Sequence, residues 1–573
     1  MRPLDWLVLI GTLTGIVFYG LYKGRGSDTV NKYLLAGKTM PWYAMALSIM
    51  ATQASAITFI STTGQAYVDG MRFVQFYFGL PLAMVIICAT AVPLFHRANV
   101  YTAYEYLEKR FDSKTRALAS AVFLIQRGLS VGLSLYAPAI VLSVIFGWPD
   151  RLTTMAMGVL ITIYTVTGGI KAVTWTDVQQ MLIILVGLVV AFVLIIRMLP
   201  SGVSFTDAVY LAGAVGKLNA VDLKFDLANR YNLWSGLIGG GFLALSYFGC
   251  DQSQVQRYLT GKSIAQSKLS LLFTATAKIP MQFFILFVGA MVFVFFLFER
   301  PPLLFQKLAM EELQSHQNAQ FAPIETRFEQ AFERRKEAAL GLAEARRRHD
   351  GARRTESLGQ FIQAQEEIND ARAQGASLYV STHAEKGFND TNYIFLSYVT
   401  RYLPAGVVGL LIAVIFAAAM SSSSGEVNSL ATVTVIDIYK RHLHPRASDH
   451  HYLWASRLAT GFWAAYAVFF AQYAKKLGSL IEAVNLVGSL FYGTLLGVFV
   501  LAFWFRRVTG TGAFLGMLAG ETAILAAFTF TNISFLWYNV IGCLVVVVTG
   551  MMVSYFRPAP GTGPTVPNPS GHA

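Results

Sequence analysis

The chain has 573 residues, of which 55% are hydrophobic and only 13% are charged, whereas an average soluble domain is about 25% charged. With a mean hydropathy of +0.50, this composition excludes a cytosolic enzyme, a fibrous protein and a disordered chain. The net charge of +13 would suggest nucleic-acid binding in a soluble protein, but in a membrane protein it indicates cytoplasmic loops rich in Lys and Arg. Cys88, Cys250 and Cys543 have neither the spacing of a disulfide framework nor that of a metal site.

Apolar stretches follow one another almost from end to end of the chain. A bilayer core about 30 Å thick needs roughly 20 apolar residues per helix. The first stretch ends in Lys23-Gly24-Arg25 without a small-residue cleavage site, so we interpret it as a retained helix rather than a signal peptide. The sequence predicts thirteen transmembrane helices, at about 4–22, 42–66, 73–95, 116–146, 152–168, 178–199, 233–250, 268–298, 404–437, 452–472, 478–504, 512–530 and 534–556.

The loops between these stretches predict an orientation. One alternating set of loops, which includes the C-terminus, holds 20 Lys and Arg, more than the opposite set once the long segment 299–392 is set aside. Cytoplasmic loops carry the excess of Lys and Arg. We therefore expect an integral protein of the plasma (inner) membrane with an extracytoplasmic N-terminus and a cytoplasmic C-terminus.

Residues 299–392 differ in kind from the rest of the chain. They contain 13 Lys and Arg against 15 Asp and Glu, in runs typical of solvated helices with i,i+4 ion pairs. The pattern predicts an extracytoplasmic helical hairpin with breaks at Gly351 and Gly375, inserted between transmembrane helices 1–8 (residues 1–298) and 9–13 (residues 393–556). A partner of unknown identity could bind this insertion, and we expect the tail 557–573 to be disordered and cytoplasmic.

Polar residues inside a membrane span are costly and indicate a pathway or a site. The second predicted span carries hydroxyls and an amide over 51–58, and the ninth carries four consecutive serines, 421–424. Such oxygens are suitable ligands for a small cation, although Ser and Thr also hydrogen-bond between packed helices. Both clusters in one chain favour an ion site. The seventh span is Gly-rich over 235–242, which favours a helix interruption there.

Three ionisable residues stand alone in or next to the spans. Arg127 could bind a carboxylate of a solute, or it could pair with a protein acid such as Glu426. Lys278 invites the same two interpretations. Asp177 could be a cation ligand or a helix cap.

Four segments together resemble the sodium:solute symporter family, which includes glucose, proline, sialate, vitamin and monocarboxylate cotransporters. They are residues 249–259 (Gly-Cys-Asp-Gln-Ser-Gln-Val-Gln-Arg-Tyr-Leu), 417–424 continuing to 437–440, 168–177, and 136–139 (Tyr-Ala-Pro-Ala). The resemblance implies an all-α polytopic membrane protein with a five-plus-five inverted-repeat (LeuT-like) core, its first repeat at about 42–199 and its second beginning at about 233. It also implies alternating access driven by Na+.

The resemblance further implies two sets of site residues. A sodium ion would be held by the carbonyls of Ala51, Ala54 and Ala418 and the hydroxyls of Ser421 and Ser422. A second sodium, known in some members, would involve Asp177 and Ser424, but Gly425 stands where those members have serine. The solute candidates are Ser55, Thr58, Gln75, Arg127, Tyr247, Phe248 and Lys278.

We infer the class of solute by comparing this sequence with the different branches of the family. Ala244 and Thr58 stand where a sugar carrier has Asn and Gln, which weakens the case for a hexose because a sugar needs many directed polar partners. The 136–139 segment is more similar to the monocarboxylate and vitamin branch. With Arg127, this favours a small organic anion, imported with Na+; a sugar or an amino acid remains an alternative solute.

Two other functions are compatible with the sequence. A transporter fold could serve as a sensor or scaffold that acts through the insertion. An embedded enzyme would need a reactive cluster, but His442, His444, His450 and His451 resemble no metal motif and fit a solvated basic loop. We therefore expect a carrier that is not an enzyme, that binds a small solute and Na+ within the lipid bilayer, and that has no nucleic-acid partner.

Overall fold

The computed structural model describes residues 1–147, 149–316, 318–383, 387–472 and 479–557. Within them the fold is all-helical, and no strand is formed beyond an isolated bridge between Met40 and Gly261. The tail beyond Arg557, predicted to be disordered, lies outside the described residues. Helices dominate because an apolar segment in a bilayer must satisfy its own backbone hydrogen bonds.

The α-helices are Pro3–Gly24, Val30–Leu35, Trp42–Gln53, Thr63–Asp69, Leu80–Ala89, Ala91–Ala98, Ala103–Arg110, Ser113–Phe146, Asp150–Arg197, Phe205–Ala214, Gly240–Gly249, Gln252–Leu259, Ile264–Phe298, Lys307–His316, Asn318–Arg347, Gly351–His383, Ile394–Tyr402, Val407–Val433, Asp449–Ala471, Leu480–Trp504, Gly510–Phe530 and Phe535–Phe556. Short 3₁₀ segments are Ala36–Lys38, Gly70–Tyr77 and Thr391–Tyr393. Wider π-helical turns are Thr58–Thr62, Ser235–Gly239 and Thr434–Leu443.

Each of the thirteen predicted apolar stretches coincides with helical structure among the described residues. Nine helical segments in that part of the chain have the length and apolar composition that a membrane crossing requires, and Ser235–Gly249 is a shorter apolar one. The predicted all-helical class is confirmed, while the number of membrane crossings stays a prediction. The predicted stretches 152–168 and 178–199 form one helical run that bends at Gly169, whose φ of +60° suits only glycine.

Two predicted spans are interrupted, and we name them after their order. The first broken helix is Trp42–Gln53 and Thr63–Asp69, separated by an irregular turn at Ala54-Ser55. The second broken helix is Gly240–Gly249 and Gln252–Leu259, separated at Cys250-Asp251. The prediction that the glycine run 235–242 is the interruption is therefore wrong: the break lies after it.

The glycine run instead permits close packing. A Cβ on Gly236 would lie 2.0 Å from the carbonyl oxygen of Gln75, and one on Gly240 would lie 2.4 Å from that of Phe76. Distances below 3.0 Å are not tolerated, so these positions need glycine to bring the second broken helix against the 3₁₀ segment Gly70–Tyr77.

The insertion forms the expected hairpin from Asn318–Arg347 and Gly351–His383, with its turn immediately before Gly351. The predicted break at Gly375 is wrong, because the second helix runs through it. A Cβ there would lie 2.8 Å from the Leu303 side chain, so this glycine is a packing position. Midway along the first hairpin helix, the buried Arg335 donates to the carbonyl of Phe296 at 2.7 Å and thereby caps the end of Ile264–Phe298.

Candidate functional site

Asp177 is the point at which four helical segments meet. Its buried carboxylate accepts hydrogen bonds from the hydroxyl of Ser48 in the first broken helix and from that of Ser421 in Val407–Val433. The guanidinium of Arg257, in the second broken helix, lies 3.5 Å away (Nη1 to Oδ2). Asp177 itself follows the bend at Gly169. The carboxylate therefore ties the first broken helix to the serine-rich helix, as Val407–Val433 is called from here on.

The predicted sodium ligands lie around this junction. The first half of the broken helix ends at Gln53, so the carbonyls of its last turn, including Ala51, lack helical donors, and Ala54 lies in the irregular turn that follows. On the serine-rich helix, the Ser422 hydroxyl donates to the carbonyl of Ala418 at 3.1 Å. All five predicted ligands (Ala51, Ala54, Ala418, Ser421 and Ser422) are buried. Their joint role as a sodium shell stays a prediction.

The predicted second sodium position is surrounded differently. Arg257 is 1% exposed and its guanidinium packs directly on Gly425, where an added Cβ would lie 2.2 Å from Nη2. The Ser424 hydroxyl points back to its own helix and donates to the carbonyl of Ser421 at 3.1 Å. A fixed positive charge therefore already accompanies Asp177. The close packing of the Arg257 guanidinium also explains why residue 425 is glycine.

Arg127, a candidate for binding an anionic solute, is paired with protein groups. Its Nη1 lies 3.0 Å from Glu426 Oε1, and its Nη2 contacts Asp251 and lies 2.7 Å from the hydroxyl of Tyr492. The Tyr492 hydroxyl also donates to Asp251 at 3.0 Å. Two carboxylates and one guanidinium share this buried cluster, so the alternative partner Glu426 is present and a further anion at Arg127 would face two acids.

Lys278 has the opposite environment. Its side chain is fully buried, and Nζ lies 5.4 Å from the ring centroid of Tyr77 without a hydrogen-bond or ion-pair partner in the described ranges. One helical turn further on, both amide atoms of the Gln282 side chain are also buried and unpartnered there. An uncompensated cation in a low-dielectric interior is costly, so this position favours an incoming acceptor.

Each of the two cations lies beside an aromatic ring. Tyr77 lies beside Lys278, and the ring of Tyr247 lies 5.5 Å from the guanidinium carbon of Arg127. Tyr247 also contacts the predicted candidate Phe248, with 5.0 Å between ring centroids, and it accepts a hydrogen bond from Gln254 at 2.7 Å. Tyr247 therefore packs against the Arg127 cluster, whereas Lys278 lies beside Tyr77.

The remaining solute candidates, Ser55, Thr58 and Gln75, form no hydrogen bond with Lys278, Tyr77 or Tyr247 in the described part of the chain. The Thr58 hydroxyl donates to the carbonyl of Gln53 across the first break at 2.8 Å, and Ser55 lies half-buried in the break. The amide of Gln75 donates to the Tyr231 carbonyl at 2.9 Å and accepts from the Asp222 backbone at 2.8 Å. Gln75 thus fastens the 219–232 loop. The roles of these three in solute binding stay predictions.

Several residues of this region were not singled out from the sequence. Asp251 and Arg257 lie inside the quoted segment 249–259, so that motif could have pointed to them. Tyr77, Gln282 and Tyr492 lie in no motif that would have pointed to them.

The predicted histidine loop forms aromatic contacts, with His451 2.8 Å from the Tyr439 hydroxyl. No group of three or more His, Cys, Asp or Glu residues suited to a metal occurs among the described residues.

Comparison with known proteins decides the family. The sequence model described as "Sodium:solute symporter family" matches residues 33–318 and 373–520, most of the chain. The chain belongs to the sodium:solute symporter family. The symporter is therefore an integral membrane carrier that couples a solute to Na+, and the sequence resemblance is confirmed. The internal segment left unmatched, 319–372, falls within the hairpin.

Individual relatives agree with this assignment. The symporter is 27% identical over 524 residues to sodium-coupled monocarboxylate transporter 1 of Xenopus laevis, covering 90% of this chain and 69% of that protein. It is 26% identical over 561 residues to the sodium/sialic acid symporter NanT of Aliivibrio fischeri, covering 96% and 93%. A solved outward-open, substrate-bound Na+-coupled sialic acid symporter matches the fold with a TM-score of 0.74 at 24% identity, covering 97% and 99%. These relatives are transporters rather than enzymes.

Proposed function

We propose that the symporter imports a small organic anion together with Na+ and that Lys278 binds the anionic group. The observation that carries the proposal is the buried, unpartnered Nζ of Lys278 over Tyr77. A carboxylate would supply the charge-assisted hydrogen bond that the described residues do not provide. The Gln282 amide, one turn away, would donate to or accept from a second polar group of the solute.

The choice of Lys278 over Arg127 follows from charge. Arg127 already has Asp251 and Glu426 within contact distance, so a solute carboxylate there would have to displace one of them. Lys278 has no acidic partner to displace among the residues that the structure describes. The names of the two relatives compared above, monocarboxylate and sialic acid carriers, also denote acids, which supports an anionic solute over the alternative sugar or amino acid.

For the ion, we propose one Na+ per cycle. It would be bound by the carbonyls of Ala51, Ala54 and Ala418 and the hydroxyls of Ser421 and Ser422, while Arg257 serves Asp177 as a permanent counter-charge in place of a second ion. Neutral oxygens suit a monovalent cation that must be released in every cycle. We also infer that the chain catalyses no reaction, since its action requires only binding and alternating access.

The proposed orientation places the N-terminus and the hairpin outside the plasma (inner) membrane. Cys88, Cys250 and Cys543 are all buried, so a single new cysteine at exposed Arg353 can report the position of the hairpin. We expect a membrane-impermeant maleimide to label Arg353→Cys in intact cells. Labelling only after permeabilisation would indicate the opposite orientation.

The function is tested by uptake into proteoliposomes containing the purified protein. The solute is first found by measuring thermal stability with and without Na+ across carboxylates, sugars and amino acids. The stabilising solute is then supplied radiolabelled under an inward gradient of Na+ or of choline. We expect Na+-dependent uptake that carboxylates inhibit and their amides do not, and equal inhibition by both would contradict the anion proposal.

A further inference from the structure

A cavity of about 520 Å³ lies where the N-terminal helix Pro3–Gly24 meets the two ends of the insertion. It is separate from the region of Lys278 and Asp177. Its walls come from the start of the N-terminal helix, the end of Ser113–Phe146, the start of the serine-rich helix and the segments that enter and leave the insertion. The lining residues fall in four stretches of the chain, 1–5, 144–145, 302–311 and 393–408.

One part of the cavity wall is apolar, and the rest is polar. Leu304, Phe305, Leu403 and Val408 are buried side chains on its wall, and Val144 and Ile145 are half-buried there. A wall of this kind gains free energy by covering hydrocarbon rather than water. A small hydrophilic ion alone would leave this surface unfilled.

Three basic side chains from three separate segments stand at the same cavity. Arg2 precedes the N-terminal helix, Lys307 is the first residue of a helix of the insertion, and Arg401 is the penultimate residue of the helix Ile394–Tyr402. All three side chains are exposed. Lys307 has Glu311 at 3.6 Å. Neither Arg2 nor Arg401 forms an ion pair with a described residue.

The other acid of the cavity, Asp5, is already engaged. Its carboxylate accepts hydrogen bonds from the backbone N–H groups of Arg2 at 2.9 Å, Gly406 at 2.6 Å and Gly409 at 3.2 Å. The Asp5 carboxylate therefore caps the start of the serine-rich helix and does not pair with the guanidinium of Arg2 or Arg401. The cations of the cavity outnumber its acids, and among the described residues neither Arg2 nor Arg401 has an acidic partner.

The ends of apolar helices also line the cavity. They contribute Val144 and Ile145 next to the end of Ser113–Phe146 and Val408 next to the start of the serine-rich helix. The ends of membrane-spanning helices lie at the bilayer interface, where Lys and Arg side chains meet phosphates.

We propose that this cavity binds an anionic phospholipid, with an acyl chain along the apolar wall and the phosphodiester held by Arg2, Lys307 and Arg401. The bound lipid joins the insertion to the membrane part of the protein. Its effect can reach the first broken helix through Phe305 on the cavity wall, whose ring lies 5.7 Å from that of Tyr67 in the segment Thr63–Asp69.

The test uses the purified full-length protein in detergent after removal of lipid. Thermal unfolding is followed on addition of phosphatidylglycerol, of phosphatidylcholine with the same acyl chains, or of glycerol phosphate. We expect phosphatidylglycerol to raise the melting temperature by several degrees and the other two to have little effect. Native mass spectrometry should show one phosphatidylglycerol retained per chain.

Variants locate the site. In Lys307→Gln/Arg401→Gln the stabilisation by phosphatidylglycerol should fall by more than half, whereas Arg353→Gln/Arg354→Gln, which removes two exposed arginines at the hairpin turn, should retain it. If the double variant does not fold, Arg401→Gln alone serves the same comparison. Equal effects of phosphatidylcholine, an equal effect of glycerol phosphate alone, or a full response of the Lys307/Arg401 variants would each overturn the proposal.

Discussion

Arg257 and Asp177 form a buried ion pair, 3.5 Å from Nη1 to Oδ2, between the helix that follows the Gly169 bend and the helix that follows the second break. The pair joins the two halves of the predicted inverted repeat. Because Ser48 and Ser421 also donate to Asp177, movement of either broken helix must disturb this carboxylate. The ion pair is thus placed where the proposed sodium site and the moving segments meet.

Gly425 should be intolerant of even one added methyl group. In Gly425→Ala the new Cβ would lie 2.2 Å from Arg257 Nη2, so the ion pair with Asp177 must shift. Overpacking of this kind costs about 1–3 kcal/mol. We expect a lower melting temperature and a loss of Na+-dependent uptake. Gly461→Ala is the matched control, since nothing lies within 4 Å of its added Cβ; equal behaviour of the two variants would contradict the packing of Arg257.

The Arg127 cluster predicts a partial rescue. Arg127→Met leaves Asp251 and Glu426 buried without their cation, which should cost about 3–5 kcal/mol of stability. Adding Glu426→Gln removes one of the two charges and should restore part of the loss. The measurement is a double-mutant cycle of melting temperatures. Additive effects would show that Arg127 and Glu426 do not interact.

The double variant also separates the two interpretations of Arg127. If Arg127 holds the cluster together and does not touch the solute, the folded fraction of Arg127→Met/Glu426→Gln should keep the wild-type selectivity for carboxylates over amides. The measurement is inhibition of uptake by each analogue. A selective loss of inhibition by carboxylates would indicate that Arg127 binds the solute.

Lys217, in the loop before the second repeat, predicts a pH dependence of stability. Burial lowers the pKa of this lysine to about 8, with Nζ 4.7 Å from the ring centroid of Phe293. Below pH 8 both the folded and the unfolded chain carry its proton. Between about pH 8 and the ordinary lysine pKa the folded protein releases it first, so this residue makes the free energy of unfolding rise with pH.

The check is the difference in unfolding free energy between the wild type and Lys217→Met from pH 7 to pH 10. The variant lacks the titrating group, so we expect the wild type to gain stability relative to it as pH rises above 8. A difference that is constant with pH, or that changes in the opposite direction, would contradict burial of a charged Lys217.

The sequence predicted the helices well because hydropathy and internal hydrogen bonding in a bilayer are local properties. It misplaced features that depend on neighbours distant in the chain. The glycines of 235–242 and Gly375 were interpreted as breaks, whereas each accommodates a close contact with another segment. The partners of Arg127 lie 124 and 299 residues away, so only the folded chain distinguishes a solute-binding arginine from a paired one. The unpartnered state of Lys278 is likewise a tertiary property.

Lys278→Met provides the most direct test of anion transport through Lys278. Losing a hydrogen bond to a charged group should raise the KM for the anionic solute by about 10- to 100-fold, while Na+ dependence and folding persist. Lys217→Met, which removes another lysine that lies over an aromatic ring, is the matched control and should keep the wild-type KM. An unchanged KM in folded Lys278→Met would contradict the account.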